Sequence, residues 1–226
     1  MHLICYYLHQ MPNLEVLHMK EPPFEARLWS FPKNMKLKQI EFEIVSTESF
    51  AFQFLSLFPD LRSVSLDIRT VEDKDDVFEV SNAHPNIQDC ALHIGIFQYQ
   101  CPEVDPMNLI KSIMVKFPNC KNLFIRLMER LSITNEGLIE TIKVLPNLTL
   151  FVLDIKNCGD ANTIDIIDKY CKSTGRRISF YLFRDDRKWN HTLGTRTYTQ
   201  YALNEDVANH LEADSKFVRS EFLRCE

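Results

Sequence analysis

Glycine is scarce in this chain, at 5 residues of 226. Loops that cradle phosphates rely on glycine, whose freedom at positive φ lets backbone amides converge on an anion. A nucleotide-binding loop is therefore not expected. Lysine and arginine (26) are outnumbered by aspartate and glutamate (31), for a formal net charge of -5. A protein that neutralises nucleic-acid phosphates needs a basic surface, so no nucleic acid is expected as a partner. No apolar run reaches the length of a bilayer-spanning helix, and no membrane partner is expected either. The 7 cysteines are odd in number and never form a Cys-x-x-Cys pair, the spacing from which many zinc and redox sites are built. The opening MHLICYYLHQ is too short and too polar for a secretory signal. Reduced thiols in a cytoplasmic or nuclear protein are the expectation that follows.

Catalytic constellations are missing as well. His18, His84 and His93 stand in or beside strand-like segments without ligand-type neighbours in sequence. Cys101 precedes Pro102 and Glu103 in a loop-like stretch, and no serine sits in a nucleophile-elbow context. The expectation is a protein that is not an enzyme, with no catalytic residues, no metal ligands and no cofactor.

What is present is a repeated phrase. It reads MPNLEVLHM at Met11–Met19, MKLKQIEFEI at Met35–Ile44, FPDLRSVSLDI at Phe58–Ile68 and HPNIQDCALHI at His84–Ile94. It returns as FPNCKNLFIRL at Phe117–Leu127, LPNLTLFVLDI at Leu145–Ile155 and, weakly, RRISFYLF at Arg176–Phe183. Successive copies lie roughly 23 to 33 residues apart, the period of stacked repeat architectures. Take the residue after Pro-x as position one. Positions four, six and eight are then apolar in nearly every copy, as in Val64, Leu66, Ile68 and Leu123, Ile125, Leu127. Exceptions are Glu21 at position eight of the first copy and Cys90 at position four of the fourth. Alternation with period two predicts a strand with one buried face.

Between the copies the period becomes helical. In DPMNLIKSIMVKF, Met107, Ile110, Ile113, Met114 and Phe117 share one helical face, with Asp105 as cap and Pro106 at the first position. In NEGLIETIKVL the candidate cap is Asn135 and the stripe is Leu138, Ile139, Ile142 and Leu145. Thr47–Phe58 and Asp160–Cys171 are further expected helices, and VEDKDDVFEV a weaker one whose acids suit a helix N-terminus. Strand and helix alternating at a short period predict an α/β fold: a leucine-rich-repeat solenoid, or horseshoe, with a parallel sheet on the concave face and helices on the convex face. It should span residues 1–183 as about seven strand-helix units. Residues 184–226 are expected to be a polar loop followed by a capping helix or tail, with apolar spacing at Val207, Leu211, Val218 and Phe222.

With even positions facing the core, positions five and seven face the concave side. Position five reads His18, Glu41, Ser65, Ala91, Phe124, Val152, Ser179, and position seven Lys20, Glu43, Asp67, His93, Arg126, Asp154, Tyr181. An acidic band (Glu41, Glu43, Asp67) and an apolar, aromatic patch (Phe124, Val152, Tyr181) emerge, with Arg126 and Asp154 beside the patch. Aromatic residues and arginine dominate interface hot spots, so these eight residues are the candidate site for a protein partner.

One stretch is more specific. LMERLSITNEGLIETIKVLPNLTLFVLDIKNC resembles the repeats of F-box leucine-rich-repeat proteins, of the cysteine-containing kind. The matching residues are Ile133, Thr134, Asn135, Glu136, Gly137 and Leu138, with Cys158 late in the unit; Asn135 replaces the family's usual aspartate. The resemblance implies the substrate-binding repeat region of a ubiquitin ligase receptor. In that family a separate N-terminal F-box docks on the Skp1 adaptor of the cullin machinery. No F-box is read in this chain. Residues 1–10 read as the outer helix of a preceding repeat, so the N-terminal end is expected to be truncated, and Skp1–cullin partners follow only if an F-box stands upstream. The alternative is a leucine-rich-repeat scaffold or inhibitor unrelated to ubiquitination.

Overall fold

The computed structural model describes residues 8–20, 35–46, 51–70, 83–95, 105–127, 133–155 and 162–184. Seven strands form one sheet: β1 Val16–Met19, β2 Gln39–Ser46, β3 Ser63–Thr70, β4 Asp89–Ile94, β5 Asn122–Leu127, β6 Leu150–Ile155 and β7 Ser179–Arg184. Their spatial order is their sequence order, and every pairing is parallel. Four helices are described: α1 Ala51–Leu55, α2 Pro106–Met114, α3 Asn135–Val144 and α4 Thr163–Thr174. The fold is α/β, as the alternating periods predict.

Register follows the phrase. Position four stacks on position four through Leu17, Ile40, Val64, Cys90, Leu123 and Phe151. Positions four, six and eight of β3 to β6 are all buried, and they share one hydrophobic core with the inward faces of the helices. The last copy departs from expectation. Phe151 pairs with Phe180, not Ile178, and Val152 pairs with Tyr181. Tyr181 therefore occupies position five and Phe183 position seven, a shift of two residues. A slip of two keeps every side chain on its face, and this copy lacks the Pro-x turn that precedes the strand in five of the other six copies.

That turn has a visible job. In Met11–Leu14, Phe58–Leu61, His84–Ile87, Phe117–Cys120 and Leu145–Leu148 the fourth N–H donates to the first carbonyl, at 3.0 to 3.2 Å. Proline pre-sets the second position of such a turn. The asparagine then bridges copies. Asn86 Nδ2 donates to the Pro59 carbonyl (2.6 Å), Asn119 Nδ2 to the Pro85 carbonyl (2.9 Å), and Asn147 Nδ2 to Asn119 Oδ1 (3.0 Å). The backbone below repeats the bridge: the Arg62 carbonyl accepts from the Gln88 and Asp89 amides, and the Gln88 carbonyl from Lys121 and Asn122.

The helices start and stop as their chemistry requires, with one correction. Asp105 caps α2, its Oδ1 accepting from the Met107 amide at 2.9 Å, with Pro106 at the first position. For α3 the cap is Thr134, not Asn135: Thr134 Oγ1 accepts from the Gly137 amide at 3.1 Å, and Asn135 is already helical. Both are good caps, and the extended backbone falls one residue earlier. On α3 the stripe also differs. Ile139 is only half-buried, while Thr141 is fully buried, its hydroxyl returned to the Gly137 carbonyl (3.0 Å). α4 ends on Gly175 at φ 69, a left-handed cap. Arg176 reaches back so that its guanidinium donates to the Ile142 and Leu145 carbonyls at the end of α3, each of which also accepts one backbone amide. Of the expected opening helix, residues 8–10 are helical. Glu21, VEDKDDVFEV and the tail beyond Arg184 lie outside the described residues.

Candidate protein-recognition face

The described helices pack against the even-position face of the sheet. The opposite face carries three rows that run across the strands, at positions three, five and seven. Sequence reasoning considered only rows five and seven. Row three holds a polar chain: Ser63 Oγ donates to Asp89 Oδ2 (2.9 Å) and Asn122 Nδ2 to Asp89 Oδ1 (2.7 Å). It could have been found from the same alternation, because positions three, five and seven share a parity.

Row five is the surprise. Glu41, Ser65, Ala91, Phe124 and Val152 are all buried; Ala91 is 0% exposed and Phe124 and Val152 are 1% each. Phe124 was expected to stand open to a partner. Its ring lies 5.6 Å from the His93 ring, and the Arg126 guanidinium carbon sits 5.4 Å from its centroid. Phe124 and Val152 are interior residues of this face. Alternation told which side they point to, not whether that side is open. Tyr181, at the end of the row, is half-buried.

Row seven stays within reach of solvent. Asp67, His93, Arg126 and Asp154 are half-buried, and Glu43 keeps about 50% of its side chain exposed. Arg126 Nε donates to Asp154 Oδ2 at 2.7 Å with each side chain 25% exposed. These two neighbours in register form a charge-assisted pair that also fixes the cation over Phe124. The acidic band is partly answered within the chain. His18 Nε2 lies 2.9 Å from Glu43 Oε1, His18 Nδ1 lies 3.7 Å from Glu41 Oε2, and Gln39 Nε2 donates to Glu41 Oε1 at 2.8 Å. Glu41 is thus an interior carboxylate held by local partners, and Glu43 the accessible end of the band. The candidate residues fall in one contiguous field, divided into a buried row and an open one.

Other reactive groups are placed as structure. Burial pushes the Cys90 and Cys120 thiols well up from their ordinary range, and the Cys171 thiol up as well. A thiol held protonated is a poor nucleophile, and Cys90 and Cys120 pack in the core between strands. His84 is lowered mainly by desolvation, packs 6.0 Å from the Phe117 ring, and its Nε2 is buried without a hydrogen-bond partner. Among the described residues no group of three or more His, Cys, Asp or Glu could hold a metal ion, and no helix is long and apolar enough to cross a membrane. No protein-family model, no curated protein and no solved structure matches the chain.

Proposed function

We propose that the chain is a leucine-rich-repeat solenoid that recognises another protein through the helix-free face of its sheet, with no chemistry of its own. The observation that carries this reading is one unit recurring in three dimensions. The same turn, the same inter-copy asparagine bridge and the same in-register stacking return from copy to copy. Repeats stacked this way build an extended surface rather than a pocket, and such surfaces serve recognition. Row seven supplies the reachable contacts: Glu43, Asp67, His93, Arg126 and Asp154, with Tyr181 at the end of the neighbouring row. It carries three acids (Glu43, Asp67, Asp154) and one guanidinium (Arg126), which favours a polar partner with a predominance of basic groups.

The more specific role is substrate binding for an F-box-type ubiquitin ligase. The stretch Ile133–Leu138 supports it, since the family's Gly-Leu step coincides with a packing requirement: Gly137 is where α3 closes on α2. The test is proximity labelling in cells with the full-length protein, beside Arg126→Glu and Lys172→Glu. Arg126→Glu sets two acids side by side and should weaken partner capture by about 2 kcal/mol. Lys172, on α4, should be neutral. Loss on Lys172→Glu with Arg126→Glu unaffected moves recognition to the helical side and refutes the proposal. Skp1 among the captured proteins supports the ligase role; capture of a partner without Skp1 leaves a scaffold or inhibitor.

A further inference from the structure

We propose that the turn edge of the stack, where the chain enters each strand, holds an extended acidic segment of another protein. Position two of the copy stands at this edge and reads Glu15, Lys38, Arg62, Gln88, Lys121 and Thr149. The turn ahead of it adds Lys36, and Arg177 stands two residues ahead of β7. Lys36, Arg62, Lys121 and Arg177 are exposed, and their side chains enter no ion pair or hydrogen bond among the described residues. The acids do not offset them. From the turns to position two the acids are Glu15, which Lys38 binds at 2.6 Å, and Asp60. This edge is therefore cationic in a chain of net charge -5, while row seven, toward the other end of the strands, carries Glu43, Asp67 and Asp154.

The backbone of this edge is already ordered. The position-two carbonyl of one copy accepts two amides from the next: Glu15 from Lys38 and Gln39, Lys38 from Arg62 and Ser63, Arg62 from Gln88 and Asp89. The pattern goes on with Gln88, which accepts from Lys121 and Asn122, and with Lys121, which accepts from Thr149 and Leu150. The cations thus stand at multiples of one strand spacing. Arg62, Lys121 and Arg177 precede β3, β5 and β7, two strands apart each time, about 10 Å. A row fixed in this way loses less freedom when a partner binds.

That interval points to the form of the partner. A polyproline-II segment rises about 3.1 Å per residue with three residues per turn, so every third side chain falls on one face at about 9 Å. Carboxylates at every third residue then meet Arg62, Lys121 and Arg177 in order. A guanidinium holds a carboxylate by two parallel hydrogen bonds, which fixes register as well as charge. A long polyanion such as a nucleic acid would also meet the chain's excess of acids; a short segment lying along this edge does not. The inference rests on the turn edge alone and is independent of row seven.

The test is fluorescence anisotropy of a labelled peptide of Glu-Pro-Pro repeats, titrated with the full chain at low salt. The peptide should bind, and more weakly as salt rises. Arg62→Glu and Lys121→Glu should each weaken binding several-fold, and the double variant further. Their melting transitions should match the parent, because both side chains are exposed and unpaired. Lys169→Glu, on the exposed side of α4, controls for net charge, and Arg126→Glu controls for row seven; both should bind the peptide as the parent does. Absence of binding overturns the proposal, as does a loss in either control equal to that in Arg62→Glu. So does equal binding of a peptide with the same residues and its glutamates in one block. A single-stranded oligonucleotide that binds more tightly than the peptide also overturns it, by making the edge a nucleic-acid contact.

Discussion

Replacing Gly137 with alanine sets two physical effects against each other. Gly137 lies in the first turn of α3, with ordinary negative φ, so the substitution adds no backbone strain. In an open helix, glycine to alanine gains up to about 1 kcal/mol from propensity. Here the added Cβ would stand 2.6 Å from Met107 Cγ and 2.8 Å from Met107 Cβ. The Cγ of a methionine can swing away, but its Cβ is fixed to the backbone of α2, so the two helices must part. Met107 is itself buried, with 5% of its surface exposed. Overpacking of this kind costs about 1 to 3 kcal/mol, and the net expectation is a loss of about 1 kcal/mol or more once propensity is subtracted. Denaturant melts of Gly137→Ala, Met107→Gly and the double variant measure it, because only glycine at 107 removes the Cβ that the new methyl would meet. Met107→Gly alone should cost about 2 to 5 kcal/mol for the lost side chain and about 1 kcal/mol more for glycine in a helix. The double variant should be more stable than the two losses added together, with a coupling of about 1 to 3 kcal/mol. A Gly137→Ala chain more stable than the parent, or strictly additive losses, would show that α2 and α3 do not meet at this point.

Leu66, fully buried at position six of β3, should tolerate no charge: Leu66→Asp costs several kcal/mol or forces the carboxyl to stay protonated. An unchanged melting temperature would mean that the inward and outward faces are reversed. Thr134→Ala should lose about 1 kcal/mol through its cap, while Asn135→Ala should be near neutral; the opposite order in thermal melts would return the cap to Asn135. Phe124→Ala should cost about 3 to 5 kcal/mol of stability, as a buried phenylalanine does, and should leave partner affinity per folded molecule nearly unchanged. Intact stability with lost binding would make row five the recognition surface instead.

Most of the scaffold was readable because its signals are periodic. Alternation at positions four, six and eight marks the strands, and the recurring Pro-Asn turn sets their register. The last copy lacks the turn and its register was misread at Phe180, whereas the second copy, also without it, pairs as its alternation predicts. Two adjacent capping residues, Thr134 and Asn135, left the start of α3 undecided by type alone; only backbone geometry separates them. Gly137 was noticed as part of a motif, but its reason lies at Met107 in α2, a neighbour far earlier in the chain that no local pattern names. The site was readable as a face and not as a surface. Parity put Phe124 and Val152 on the helix-free side, yet burial depends on what lies over that side, which periodicity does not encode.

Assigning each position of the copy a physical task leaves little room for function. Position one, where Leu61, Ile87, Cys120 and Leu148 stand, is buried, as are positions four, six and eight of the central strands. The turn asparagine is engaged with the preceding copy. Row three is tied into its own hydrogen-bond chain at Ser63, Asp89 and Asn122, and row five is sealed. Each of these positions has a residue type dictated by packing or by a hydrogen bond. Row seven does not: it carries Glu43, Asp67, His93, Arg126 and Asp154 on successive strands, two signs of charge and an imidazole where strand geometry asks only for a side chain that points to solvent. Neighbour pairing accounts for Arg126 with Asp154 and for Glu43 with His18. His93 is held as well, its ring 5.6 Å from that of Phe124, so the charge pattern of row seven is what the proposed recognition face would present to a partner.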